Sequence, residues 1–384
     1  MYRCSLTVIG GLLFLASLQA PAAPLDLASE EFPIGLYSVD TEGAMAQVKG
    51  MGVDYVHTYA LGAQTTPEAL AKYQAYMDAA QKHGLKVMVY LNGRRWVSNH
   101  GLLEMHKIVM ALKDHPALGF WLLYDEPSGT HTPRDLMPFY WLLKYETPQV
   151  PVAIVEAWAK DWWEDAKACD LLQLDSYPVK NEDFPTSPIG NVTTFVGRGV
   201  KLGSVPIMPV LQCYNRKAMD LKDTANSEEA RKYRYPNQTE LYYWAYSSLA
   251  QGVRGLFWWS YYRSVQGGYG WINTEFKSAM QEVRRFVDLV KPAHKPEVFQ
   301  YAPDEEVYMA LYRRPTGTYL VMANGQPIAR RISRGTEKLM ADEATLEPWG
   351  HTRAAEAKVT GGNLTVEAQP WETFVWKVTE APAK

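Results

Sequence analysis

Two adjacent carboxylates, Asp125 and Glu126, end the apolar run 118–124 and are followed at once by Pro127. Acids at the end of a hydrophobic strand form a proton-handling pair. Burial and like charge raise the pKa of one carboxyl, which then stays protonated near neutral pH while another is ionised. Such a pair can protonate a leaving oxygen and also supply a nucleophile, a base or a charge stabiliser. Either acid could instead cap a following helix, but Ser128, Thr130 and Thr132 offer later caps. Glu126 is therefore expected as the general acid. Two further acids close apolar runs: Asp175 after 170–174 and Glu156 after 151–155. Asp175, which could also be a loop-capping carboxylate, is the expected catalytic partner of Glu126. Asp125 is the orienting or pKa-tuning neighbour, and Glu156 a spare.

Strand-like and helix-like patterns alternate through the chain. Strands are predicted at 32–38, 53–59, 85–91, 118–124, 151–155, 170–174, 205–211 and 253–259. Helices are predicted around Ala44 and Val48, then at 67–83, 102–113, 133–145, 161–167 and 275–290. Eight βα units in about 260 residues match a (β/α)₈ TIM barrel, an α/β fold. A doubly wound open sheet is the alternative, but no Gly-rich phosphate loop opens a helix. In a barrel the strand C-termini share one bowl. That expectation gathers Tyr37, His57, Tyr59, Asn92, Tyr124, Glu156, Tyr177, Gln212, Tyr214, Trp258, Trp259 and Tyr261 around the acids as substrate-binding residues. The connections 180–204 and 214–238 are long, and the second reads as a lid or groove wall. The stretch 263–271, with Gly267, Gly268 and Gly270 around Tyr269, reads as a mobile substrate-contacting flap.

Beyond Pro292 and Pro296 the pattern changes to short alternating strands, at 297–302, 307–313, 318–323, 329–333, 363–368 and 373–378. Asn324-Gly325 and Gly361-Gly362 are hairpin signals. The expectation is a small C-terminal antiparallel β-sandwich over 295–384, a buttress for a catalytic barrel over 23–294.

The 384 residues carry a net charge of −3, and this balance with a pI near 6.3 argues against a nucleic-acid binder, which would show a basic stripe. Arg3, the apolar stretch 6–18 and Ala20-Pro21-Ala22 form an export leader over 1–22. No other run is long and apolar enough to span a bilayer, so a secreted or periplasmic chain without membrane insertion is expected. Cys169 and Cys213 fall at opposite ends of neighbouring predicted strands, too far apart for a disulfide, and are expected as free thiols. No metal site and no cofactor are expected, since the histidines lack ligand spacing and only His57 ends an apolar run. The 13 Trp and 24 Tyr supply flat surfaces suited to sugar rings as well as to a core.

With Tyr-Asp-Glu-Pro on strand four, Gly-Leu-Phe-Trp-Trp-Ser on strand eight and a C-terminal sandwich, the mature chain resembles secreted bacterial glycoside hydrolases of the (β/α)₈ superfamily. The resemblance implies a glycan substrate and a general acid ending strand four, where Glu126 stands. In the commonest such families a Glu ends strand seven as nucleophile; Gln212 holds that place. In enzymes similar to β-N-acetylhexosaminidases, an adjacent Asp orients the substrate's acetamido group, a place that Asp125 matches. A third group uses Asp on strands four and six, where Asp175 stands. A catalytically silent glycan-binding barrel and a non-glycosidic barrel enzyme are the other readings.

Overall fold

The computed structural model describes residues 25–27, 31–61, 64–99, 101–157, 162–180, 184–216, 233–266, 270–290, 296–299, 306–336, 338–353 and 356–381. The export leader, Gly267, Gly268 and Tyr269, and most of the connection 214–238 lie outside them. Parallel strands β1 (Ile34–Leu36), β2 (Tyr55–Val56), β3 (Lys86–Tyr90), β4 (Leu118–Asp125), β5 (Val152–Glu156), β6 (Leu171–Asp175), β7 (Ile207–Gln212) and β8 (Leu256–Trp259) close in sequence order into a barrel, β8 pairing with β1.

Helices α1 (Glu42–Lys49), α2 (Pro67–Lys82), α3 (Gly93–Ser98), α4 (Leu102–Leu112), α5 (Pro133–Glu146), α6 (Gly190–Leu202), α7 (Gln238–Leu249), α8 (Tyr261–Val265) and α9 (Lys277–Leu289) surround it. Side-chain alternation divides each strand between two cores. Tyr55, Met88, Phe120, Leu122, Leu171, Met208 and Phe257 fill the barrel. Val56, Val87, Trp121, Leu123, Ile154, Leu172, Leu211 and Trp258 pack outward among the helices.

Three connections differ from expectation. The helix predicted at 161–167 is a 3₁₀ turn, Trp162–Ala168, which buries every third residue, Trp162, Asp165 and Ala168. That period suits three residues per turn. The long connection 180–204 contains α6, whose buried Val192, Phe195, Val196 and Gly199 follow a helical period beneath a Gly- and Thr-rich sequence. The predicted flap ends at a fixed point: Trp271 donates from Nε1 to the Pro236 carbonyl at 3.0 Å and stacks on Tyr235.

The C-terminal region is one antiparallel sheet of eight strands in the order β12-β15-β14-β13-β16-β11-β10-β9. The strands are β9 (Glu297–Val298), β10 (Val307–Arg314), β11 (Gly317–Asn324), β12 (Arg330–Gly335), β13 (Ala344–Pro348), β14 (Lys358–Thr360), β15 (Asn363–Ala368) and β16 (Thr373–Glu380). The sheet closes over its own core: Met309, Leu320 and Phe374 from one half meet Ile332, Leu364 and Val366 from the other. The opposite face of β10 and β11, with Tyr308, Ala310, Tyr312, Tyr319 and Val321, joins the core shared with the barrel's helices. Gly361 and Gly362, both at positive φ, turn β14 into β15 as the hairpin signal required. Asn324-Gly325 makes no hairpin. Asn324 instead ties backbone together, donating to the carbonyls of Ile328 and Gln369, and β11 pairs with β10 and β16.

Candidate active site

A pocket of about 310 Å³ opens at the C-terminal ends of the barrel strands. It is lined by Tyr37, Tyr59, Tyr90, Arg94, Asp125, Glu126, Val155, Asp175, Tyr177, Val210 and Trp259. The end of β4 explains how neighbouring acids reach the same space. Its pairing with β5 slips between Leu122 and Tyr124, so Leu123 and Tyr124 both pack outward and Asp125 returns inward. Glu126 then takes the left-handed conformation (φ 57°), which breaks the strand alternation and brings its side chain to the pocket as well. Asp175 follows ordinary alternation on β6 and is 5% exposed, whereas Glu126 is exposed.

Electrostatics separates the three acids. Asp125 accepts a hydrogen bond from the Tyr59 hydroxyl at 2.8 Å, which opposes a burial that raises its pKa to about 6. Asp175 is pushed well above the usual carboxylate range, first by burial and then by the charges of Glu126 and Asp125. It lines the same pocket as Glu126. Acids crowded into one pocket disfavour each other's ionisation, and the buried Asp175 feels this together with its desolvation.

Aromatic rings form the walls. Tyr177 and Trp259 stack at 5.3 Å, and Tyr214 supports both edge-on from behind. Tyr37 donates from its hydroxyl to Gln173 Oε1 at 2.5 Å. His57 is buried beneath the pocket, its ring within 4.2–5.7 Å of those of Tyr59, Tyr37 and Tyr90. Burial lowers its pKa to about 3, so it is a neutral floor residue.

Several residues expected in the bowl are not among its lining residues, for different local reasons. Tyr124 packs in the helical shell and its hydroxyl lies 2.7 Å from His131 Nδ1. Trp258 is fully buried against Phe276. Tyr261, in α8, donates to Gln47 Oε1 at 2.6 Å. Glu156 faces away from the barrel interior and meets Asp165 and Ser128 in a buried pair that raises its pKa to about 9, chiefly by burial. Asn92 precedes α3 in the left-handed conformation, makes no side-chain cap to the helix and is not among the lining residues. Gln212 uses its whole amide as a clip, accepting from Val179 N–H at 2.9 Å and donating to the carbonyls of Val179 and Tyr214.

The sequence reading missed Tyr90, Arg94, Val155 and Val210. Tyr90 ends β3, and alternation along 86–90 would have found it. Arg94 depends on Gly93, where an added Cβ would lie 2.3 Å from the Leu123 carbonyl oxygen, so glycine alone lets α3 start against β4. Cys169 and Cys213 are buried free thiols.

No family model and no curated protein matches the chain. Solved structures do match its fold. A glycoside hydrolase family 5 protein from Bacteroides vulgatus is similar with a TM-score of 0.64 at 11% identity, covering 92% of this chain and 90% of that one. An Anoxybacillus alpha-amylase has a TM-score of 0.59 at 9% identity, covering 92% and 99%. A family 30 subfamily 8 xylanase, Xyn30A from Clostridium acetobutylicum, has 0.52 at 12%, covering 94% and 98%. These three neighbours are glycoside hydrolases, and the likeness of fold covers 92% or more of this chain.

Proposed function

We propose that the protein is an exported glycoside hydrolase that cleaves an oligosaccharide or polysaccharide with carboxylates as acid and base. The observation that carries this reading is the convergence of Asp125, Glu126 and Asp175 on one pocket walled by Tyr177 and Trp259. Glu126, the exposed member, meets the glycosidic oxygen and delivers the proton it shares with Asp175, so Asp175 is its reservoir. Asp125, ionised above about pH 6, stabilises the oxocarbenium charge or orients the attacking group. Tyr37, Tyr59 and Trp259 hold the sugar ring, with apolar CH faces against aromatic faces.

Release of reducing ends from a panel of glycans, with Glu126→Gln as control, tests the reading. Cleavage by the unmodified protein that the variant loses is expected; no cleavage across the panel would overturn it. A second reading, glycan binding without cleavage, draws on Gln212, which occupies the place of a strand-seven nucleophile and is committed to backbone. Glycan binding without product would establish it. Export is tested by N-terminal sequencing of protein recovered outside the cytoplasm, with cleavage after Ala22 expected.

A further inference from the structure

Resting on the hydrolase reading, we propose that Arg94 determines specificity by receiving an anionic substituent, a uronate carboxylate or a sulfate ester, on the sugar held in the pocket. Arg94 is the one cation among the lining residues, in a pocket that contains three carboxyl groups. Its guanidinium is exposed, and among the described residues it forms no ion pair. Its charge is the smallest of four influences on Asp125, so tuning that acid does not account for its position. Its charge also reaches the Tyr124 hydroxyl, where it opposes the burial that raises that group's pKa, and its five N–H donors suit an anionic ligand.

Neighbouring Arg95 shows the ordinary alternative: it covers the Trp96 ring at 5.2 Å and does not line the pocket. Left-handed Asn92 and the close approach of Gly93 to β4 aim Arg94 at the site. A planar guanidinium suits a carboxylate or a sulfate, which it can grip through two parallel hydrogen bonds. Burial pushes Asp175 well above the usual carboxylate range, which lessens the repulsion that three ionised acids would impose on an anionic sugar.

The test is calorimetric binding to the Glu126→Gln protein, which preserves the ligand. The ligands are uronate-bearing oligosaccharides with their carboxyl-reduced counterparts, and sulfated ones with their desulfated counterparts. One acidic form is expected to bind at least about tenfold tighter than its neutral counterpart, the scale of a charge-assisted hydrogen bond. The preferred pair identifies the anion. Adding Arg94→Gln should abolish that preference and change neutral affinity by less than about twofold, and Arg94→Lys should restore part of it. Equal affinity for acidic and neutral forms, or an equal loss for both in Arg94→Gln, overturns the proposal. Arg94-dependent binding of an acidic form by a protein that cleaves no glycan would overturn the hydrolase reading alone.

Discussion

The Asp125–Glu126–Asp175 cluster and the Glu156–Asp165 pair lie on opposite sides of the same wall of strands. In both, burial and acid neighbours raise pKa values. The first lines a pocket. The second is enclosed by the 3₁₀ turn and Ser128, with Glu156 entirely buried. A perturbed acid is therefore not by itself a sign of chemistry; access separates the two clusters. Glu156 can hold its proton to a higher pH than Asp125 and still have nothing to give it to.

The sharpest test of this contrast is Glu126→Gln, which should lower kcat by about 10³-fold or more on a cleaved glycan with an unchanged melting temperature. A loss below tenfold would show that access does not mark the acid. Asp175→Asn follows, at about 10²-fold, because it removes the proton reservoir while keeping its shape. An Asp175→Asn protein of normal activity would make that carboxyl as inert as Glu156.

Tyr59→Phe removes the hydrogen bond that favours ionised Asp125. The acid limb of the pH–kcat/KM profile, expected near pH 6, should move up by about one unit. Rates at pH 5.5 should fall several-fold while those at pH 8 hold; an unshifted limb would detach Asp125 from the reaction.

The smallest effect is expected from Glu156→Gln, with activity within about threefold of the unmodified protein. Its stability should vary with pH in a defined sense. Glu156 keeps its proton to about 9 when folded, whereas the unfolded carboxyl releases it near 4.5. The native protein therefore loses stability as pH rises between those values. Gln does not titrate, so the variant's melting-temperature advantage should grow from pH 5 to pH 9. A constant difference would show that Glu156 is ionised in the fold.

The barrel was legible because apolar runs and helical periods recur in a simple order. The details of the site were less so. Strand-end position suggests the bowl, yet period-two alternation sends Glu156 and Trp258 outward and the register slip of β4 sends Tyr124 the same way. Conversely, Asp125 and Glu126 share the pocket through a register slip and a single left-handed residue. Both are set by packing against β5 and α3, which hydrophobic pattern does not encode. Short polar β13 and β14 escaped notice for a related reason: their ladders are held by β15 and β16, with little apolar alternation of their own.

The two-faced C-terminal sheet has a practical corollary for dissecting the chain. Tyr312 donates to the Leu249 carbonyl at the end of α7, Trp371 to that of Pro185, and His351 lies 2.6 Å from Glu282 of α9 with its ring stacked on Tyr242. Severing the chain between barrel and sheet would bare Tyr308, Tyr312 and Val321 on one fragment and the flanks of α7 and α9 on the other. Each half made alone should aggregate, and the two should be recovered together only when produced together. The molecule would then behave as a split protein whose parts complement one another, rather than as an enzyme carrying a detachable tag.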